Sequence, residues 1–183
     1  NQALLDLLTP VVKGWSTEQG VDVASTGIQV HGGMGFIEET GATQYLRDAR
    51  ITTIYEGTTG IQAGDLVGRK VGFEKGATAL AAIAAMRGLD SKLASGGEGL
   101  AAMRASFKES VDGLEAATRW IVQTFPQDPK AVAAVSVPYL KLFGTVAGGW
   151  MMARAALAAG EKLRQPDADH DFLNGKLATA RFY

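Results

Sequence analysis

The segment Leu100–Thr124, LAAMRASFKESVDGLEAATRWIVQT, is the strongest indicator of fold class in this chain. Its large apolar residues recur three, four or seven positions apart, which is the spacing of one face of an α-helix. They are Met103, Phe107, Val111, Leu114 and Ile121. Phe125-Pro126 follows directly, and a proline there ends a helix. The segment therefore predicts one long amphipathic helix.

The residues before this segment also favour helices. Apolar residues at spacings of three and four, from Leu4 to Trp15, predict a first helix that ends at Gly32-Gly33. Pro10 predicts a kink or a restart within it. A short helix is expected over about residues 43–49. Residues 51–57, ITTIYEG, look locally like a strand, but no second convincing strand is present, so an extended loop is predicted there.

The middle and the end of the chain continue the helical pattern. An alanine-rich helix is predicted over residues 73–86, followed by a surface loop over residues 88–99. Asp128-Pro129 predicts a helix start, because aspartate caps a helix and proline suits its first turn. That helix is expected to reach about residue 163, with a bend near Pro138 or Gly148-Gly149. Asp169 to Asp171 cap a last helix that begins near residue 172.

These segments add up to five to seven helices with short connections and no sheet. The predicted fold class is all-α: an up-and-down helical bundle followed by a second helical bundle-like extension.

Composition excludes several classes of function. The chain has 183 residues with 18 basic and 19 acidic side chains, a net charge of −1 that argues against a nucleic-acid or anionic-membrane surface. It has no cysteine, and its two histidines are too few for a histidine-built metal centre, so no metal is expected. No apolar run reaches the length of a membrane span, and Asn1-Gln2-Ala3 carries no signal-peptide pattern. A cytoplasmic location is expected.

The segment Tyr55-Glu56-Gly57-Thr58-Thr59-Gly60 is the first candidate for chemistry. Gly57 leaves room for a flat substrate beside the Glu56 carboxylate. Burial of Glu56 against Tyr55 and Ile54 would raise its pKa and make it a better base near neutral pH. Thr58 and Thr59 offer hydroxyls, and either residue can cap the following helix, which offers free N–H groups. The alternative from these residues alone is a loop glutamate that caps a helix or stays solvated.

The segment from Gln29 to Phe36, QVHGGMGF, is the second candidate. Clustered glycines at a helix end expose backbone across which a nucleotide could lie. It is not a dinucleotide fingerprint of the βαβ kind, because no strand precedes it. A simple glycine-rich helix stop is the alternative interpretation.

Three motifs taken together resemble the C-terminal α-domain of acyl-CoA dehydrogenases. They are IQVHGGMGF at Ile28–Phe36, YLRDARI at Tyr45–Ile51 and IYEGT at Ile54–Thr58. The segment LTPVVK at Leu8–Lys13 and the helical tail that includes Leu173–Arg181 resemble an extended branch, similar to methylthiopropanoyl-CoA dehydrogenase-like enzymes. The resemblance implies that residues 1–72 form the C-terminal part of the α-domain. It assigns residues 73–183 to an additional C-terminal helical domain.

The resemblance also implies site residues. Glu56 aligns with the base that removes the α-proton of an acyl-CoA thioester, while the β-hydrogen leaves as hydride to FAD and a 2-enoyl-CoA forms. Gly57 then lies against the substrate. The resemblance implies a first group of FAD contacts at Thr58, Thr59 and Gly60. It implies a second group that contacts the FAD of a neighbouring subunit, at Gln29, Val30, His31, Gly32 and Gly33.

Partners follow from the same resemblance. They are an acyl-CoA substrate, an electron acceptor such as electron-transfer flavoprotein, and further copies of the chain in a homo-oligomer, a dimer or a tetramer. The family's N-terminal and middle domains do not appear in this sequence, so the chain alone is expected to be inactive and to bind FAD weakly. An acyl-CoA oxidase and a non-catalytic helical assembly module are the alternative functions.

Overall fold

The computed structural model describes residues 2–96 and 98–183, and within these ranges every regular element is helical. The all-α prediction is therefore confirmed. The α-helices are α1 Gln2–Val30, α2 Gly33–Phe36, α3 Ala42–Arg50, α4 Thr59–Asp65, α5 Ala77–Arg87, α6 Asp90–Ala94, α7 Glu98–Thr124, α8 Pro129–Ala134, α9 Ser136–Lys162 and α10 His170–Phe182. Two 3₁₀ turns, Glu38–Thr40 and Ile51–Thr53, and a π-helical segment, Leu66–Gly72, complete the set.

Residues up to 78 together with residues 121–144 form a first compact unit. Its centre contains buried apolar side chains such as Leu7, Leu66 and Phe143. Gly14 of α1 lies against Leu140 of α9, and a Cβ on Gly14 would stand 2.8 Å from Leu140 Cδ1. The missing side chain at Gly14 therefore lets the two helices approach closely.

Residues 79–120 and 145–183 form a second compact unit. Its buried side chains are large on α7 and mostly alanine on α9. The small alanine side chains of α9 leave the space that the larger side chains of this unit need for close packing. The fully buried examples include Leu114 on α7 and Ala153 and Ala156 on α9. Asp169 caps α10 by accepting a hydrogen bond from the Phe172 N–H at 3.0 Å, as the sequence predicts.

Ion pairs join the helices of the second unit. Arg87 of α5 pairs with Asp112 and, at 2.6 Å, with Glu115, both on α7. Arg104 of α7 makes two hydrogen bonds of 2.8 Å to the carboxylate of Asp90 on α6. The hydrogen bond from Arg104 lowers the pKa of Asp90 from its ordinary value.

The predicted restart of the first helix at Pro10 does not occur, whereas a kink there stays a prediction. Helix α1 continues through Pro10 to Val30, and Pro10 itself is buried. Proline removes one backbone N–H donor. Burial of Pro10, together with its neighbours Leu7 and Val11, stabilises the helix enough to offset that loss. The predicted end at Gly32-Gly33 agrees with the observed last residue, Val30.

Two boundaries in the rest of the chain differ from the prediction. The predicted loop over 88–99 contains helix α6, whose Leu93 is fully buried and anchors it. The bend expected near Pro138 is a break at Val135, between α8 and α9. Pro138 cannot donate a hydrogen bond to the carbonyl four residues earlier, at Ala134, so α8 ends there.

The prediction for residues 73–86 is right in type and wrong at its start. The observed helix, α5, begins at Ala77, because Lys75 and Gly76 adopt left-handed backbone angles of φ 52° and 74°. The estimate of five to seven helices is also too low. In the described part of the chain six α-helices have nine residues or more, and four shorter ones lie between them.

Helix α9 bears on the expectation that no segment of the chain is long and apolar enough to span a membrane. Among the described residues it is the one helix long and apolar enough to cross a bilayer by length and composition alone, with a window of mean hydropathy 1.2. Of that window 33% is buried within the protein. Core helices of water-soluble proteins meet the same criterion, so it does not by itself indicate a membrane span.

Candidate active site

The candidate site centres on a tight turn that leads into helix α4. Glu56 has φ 53° and Gly57 has φ 91°, so two consecutive residues adopt left-handed backbone angles. Glycine adopts such angles freely, whereas glutamate does so at a cost of about 1 kcal/mol. Other parts of the structure must therefore hold Glu56 in this conformation.

Gln62, one turn into α4, holds the turn from one side. Its Nε2 donates a hydrogen bond of 3.1 Å to the Glu56 carbonyl oxygen. The same amide covers Gly57, where an added Cβ would stand 2.7 Å from Gln62 Nε2. Gly57 is therefore needed both for its backbone angle and for the space that Gln62 occupies.

Lys13, from the middle of α1, contacts the residues that precede the turn. Its Nζ donates a hydrogen bond to the Thr52 carbonyl oxygen. The same Nζ lies 5.1 Å from the centroid of the Tyr55 ring, within the range of a cation–π interaction. Arg50 adds a hydrogen bond of 2.5 Å to Thr53 Oγ1 in the preceding 3₁₀ turn.

Two threonines fix the chain after the turn. Of the two caps that the sequence allows, Thr58 is the one that caps α4, because its Oγ1 accepts a hydrogen bond from the Ile61 N–H at 3.4 Å. Thr59 Oγ1 donates a hydrogen bond of 2.5 Å to Glu18 Oε1 on α1. Gly60 is exposed, and a Cβ there would approach only Thr58 Oγ1, at 3.9 Å.

The burial predicted for Glu56 is not observed. Glu56 is exposed, and its neighbours Ile54 and Tyr55 are each about half exposed. Residues 51–57 are also not simply an extended loop, since Ile51–Thr53 is a 3₁₀ turn. Within the described residues, nothing from this chain encloses the carboxylate.

The second predicted group lies at the other end of α1. Gln29 and Val30 close the helix, His31 and Gly32 follow as a turn in which Gly32 has φ 62°, and Gly33 begins α2. All five are exposed. Since Thr59 contacts Glu18 and Gln29 lies eleven residues further along α1, the two groups are about 16 Å apart along the helix axis. The structure does not bring them together.

A shallow groove runs beside this second group, between α1 and α3. It has a volume of about 430 Å³, and small residues line much of it, among them Gly20, Ala24 and Gly27. His31 and Tyr45 lie along its wall. In the part of the chain that the structure describes, no group of three carboxylate or histidine side chains is suitable for a metal ion.

Sequence reasoning missed Lys13, Glu18 and Gln62. Lys13 carried a weak signal, as the one cation between Leu4 and Trp15, although it lies off the apolar stripe. Gln62 lies six residues after Glu56, which places it one turn into the helix that follows. Neither position identifies its partner, because the partner depends on how α1, the turn and α4 meet.

Two family models together match nearly the whole chain. Residues 2–71 match the family model "Acyl-CoA dehydrogenase, C-terminal domain". Residues 76–183 match the model "Acetyl-CoA dehydrogenase C-terminal like". The chain belongs to the acyl-CoA dehydrogenase family. The resemblance inferred from the three motifs is thereby confirmed.

Individual members of the family support this assignment. The chain is 46% identical to 3-methylmercaptopropionyl-CoA dehydrogenase of Ruegeria pomeroyi, over 100% of this chain and 31% of that protein. It is 33% identical to a broad-specificity linear acyl-CoA dehydrogenase of Mycobacterium tuberculosis, over 97% of this chain and 30% of that one. The human mitochondrial short-chain specific acyl-CoA dehydrogenase is 47% identical over 26% of this chain and 11% of its own length. The chain thus spans about a third of the first two relatives.

Proposed function

We propose that this chain contributes the catalytic base to an FAD-dependent acyl-CoA dehydrogenase, and that Glu56 is this base. The observation that carries the proposal is the turn at Glu56 and Gly57, where a carboxylate projects from a left-handed residue whose backbone is fixed by neighbouring side chains. The motif around it, Tyr55-Glu56-Gly57-Thr58, lies within the family match at residues 2–71.

The proposed reaction is the α,β-dehydrogenation of an acyl-CoA thioester to a 2-enoyl-CoA. The Glu56 carboxylate takes the proton from the α-carbon, and the β-hydrogen leaves with its electron pair, so a carbon–carbon double bond forms. Bound FAD supplies the acceptor for that hydride. Gly57 has no side chain to obstruct the substrate. The α-proton is weakly acidic, so the carboxylate must be shielded from water in the complete enzyme.

The residues assigned to FAD suit a flavin nucleotide chemically. Thr58 and Thr59 carry hydroxyls. Gly60 faces open space, since a Cβ added there would meet only Thr58 Oγ1, at 3.9 Å. Gln29 and His31 present polar side chains on the surface beside the exposed backbone of Gly32 and Gly33. All these groups can form hydrogen bonds with phosphate, ribityl or ring atoms. The separation of the two groups along α1 supports the proposal that they serve FAD molecules of two different subunits.

The exposure of the first sixty residues supports a role within a larger assembly. Among the described residues nineteen large apolar side chains are exposed, and thirteen of them lie between Leu4 and Ile61. We expect other domains or further copies of the chain in a homo-oligomer to cover them. Without this cover Glu56 is open to water, so the chain alone is expected to be inactive and to bind FAD weakly. Electron-transfer flavoprotein is the proposed electron acceptor of the complete enzyme.

Replacement of the base tests the proposal directly. In the complete enzyme that contains this chain, Glu56→Gln keeps the size of the side chain and removes its ability to accept the α-proton. We expect turnover of acyl-CoA to fall by about 10³-fold or more, while the flavin absorbance of the purified protein is retained. Turnover equal to that of the wild type would contradict the proposal and favour a non-catalytic helical module. Production of peroxide by the wild-type enzyme would instead identify an acyl-CoA oxidase.

A further inference from the structure

Backbone hydrogen bonds flank the Glu56 turn without spanning it. Before the turn, the Tyr55 N–H donates to the Ile51 carbonyl at 3.2 Å, and after it the Gln62 N–H donates to the Thr58 carbonyl at 3.0 Å. Between these bonds lie Glu56 and Gly57, both with left-handed angles. A glutamate at φ 53° relaxes readily to a more favourable conformation unless side chains hold it.

We propose that Lys13 and Gln62 are positioning residues that hold the Glu56 turn in the geometry needed for proton removal. This inference rests on the proposed role of Glu56 as the base. The two side chains do not touch the reacting atoms. They act on the backbone and the aromatic ring on either side of the carboxylate.

Gln62 acts on the peptide that follows Glu56. Its amide donates to the Glu56 carbonyl oxygen at 3.1 Å, which fixes the plane of the Glu56–Gly57 peptide. The orientation of that peptide sets ψ of Glu56 and so helps set the direction of its side chain. The lack of a Cβ at Gly57 allows this contact, since a Cβ would come within 2.7 Å of the amide nitrogen.

Lys13 acts on the segment that precedes Glu56. Its ammonium group donates to the Thr52 carbonyl oxygen and faces the Tyr55 ring at 5.1 Å. Lys13 is half-buried, so both interactions are less screened by solvent than those of a surface lysine. Thr52 and Tyr55 both lie within the four residues before Glu56. The Lys13 side chain of α1 therefore fixes the segment that leads into the turn.

The test uses the complete enzyme with the variants Lys13→Met and Gln62→Leu, each of which keeps bulk and removes the donor. We expect kcat to fall about 10- to 100-fold, because small displacements of a catalytic group have effects of that size. Bound FAD and KM should change by less than about twofold. The kinetic isotope effect with α-deuterated acyl-CoA should rise, because proton removal becomes the slower step. Lys13→Arg should restore most of the activity, since arginine can donate to Thr52 and stack on Tyr55.

Matched controls separate this role from a general loss of stability. Lys92→Met and Gln127→Leu alter the same side-chain types at exposed positions outside the turn, and their kinetics should equal those of the wild type. Loss of FAD in proportion to activity in Lys13→Met and Gln62→Leu would overturn the inference, since it indicates a structural role. Wild-type kinetics in both variants would also overturn it. If Lys13→Met does not fold, Gln62→Leu and Lys13→Arg still decide the question.

A parallel measurement on Glu56→Gln distinguishes a failure of the positioning role from a failure of the base assignment. An inactive Glu56→Gln enzyme combined with unaffected Lys13→Met and Gln62→Leu enzymes contradicts the positioning role and leaves the base assignment intact. An active Glu56→Gln enzyme contradicts the base assignment, and the positioning role with it.

Discussion

The two ends of this chain differ sharply in how they bury apolar surface. Among the described residues, those up to position 62 contribute two buried hydrophobic side chains, Leu7 and Val11, whereas the remainder contributes twenty-four. The exposed large hydrophobics show the reverse distribution, with thirteen before residue 62 and six after it. Apolar side chains are most stable when removed from water, so the later region supplies most of the core and the first leaves most of its apolar surface uncovered.

This difference agrees with the distribution of the candidate site residues along the chain. The motifs that carry the candidate chemistry lie between residues 28 and 62, in the region with little core of its own. A site that is to be shielded by other parts of an enzyme must leave apolar surface available for them. The later region contains ion pairs and well-packed alanines and carries none of the assigned site residues.

The largest expected difference concerns the stability of the 183-residue chain. Leu114→Ala removes a fully buried side chain from α7 and should lower the free energy of unfolding by about 3 kcal/mol. Leu5→Ala makes the same chemical change on α1, where the side chain is 60% exposed. It should lower that free energy by less than about 0.5 kcal/mol. Urea denaturation followed by circular dichroism measures both values. Similar losses in the two variants would remove the contrast between the regions.

A smaller effect is expected on self-association. The isolated chain should form dimers or larger species in a concentration-dependent manner, because the exposed apolar side chains of the first region find cover in another copy. The double variant Val23→Ser, Phe36→Ser should weaken this association by about tenfold or more. The control pair Met151→Ser, Phe172→Ser, at exposed positions of the later region, should leave it unchanged. Analytical ultracentrifugation measures the association, and a wild-type chain that stays monomeric at high concentration would contradict this prediction.

The smallest effect is a dependence of stability on pH that arises in the later region. A hydrogen bond from Arg87 lowers the pKa of Asp112, and hydrogen bonds from Arg119 and Arg87 lower the pKa of Glu115. A carboxylate whose pKa is lower in the folded state stabilises the fold above its unfolded pKa. This stabilisation is lost as the pH falls from about 4.5 through the folded pKa values. These groups are exposed, so the loss should be small and should shrink further in high salt.

Removal of the shared cation checks this assignment. Unfolding of Arg87→Met, measured by thermal melts between about pH 3 and pH 7, should show a weaker dependence on pH than the wild type. Arg47→Met serves as the matched control, because its ion pair with Glu38 lies in the first region and is longer, at 3.4 Å. A steeper dependence on pH in the Arg87 variant would show that the sign of the effect is wrong.

Features encoded within a few residues were predictable. Caps at Thr58, Asp128 and Asp169 occur as the sequence indicates, because each depends on one side chain and the N–H groups two or three residues ahead. The predicted restart at Pro10 and the predicted loop at helix α6 failed for the opposite reason. In both cases burial, which depends on distant residues, outweighs the local preference.

The candidate site divides in the same way. The motif around Glu56 could be identified from the chain alone, together with the family and the kind of chemistry it implies. The exposure of Glu56 could not, because burial of a side chain depends on which surfaces pack over it.

The amino-acid sequence alone determines the helical character of this protein, the motif that carries Glu56 and the membership of the acyl-CoA dehydrogenase family, since periodicity, caps and motifs are local properties. Only the tertiary structure reveals how the turn is held. Lys13 reaches Thr52 across 39 residues and Glu18 meets Thr59 across 41. Contacts between such distant positions arise from the packing of α1 beside the turn and α4, and no local pattern in the sequence specifies them.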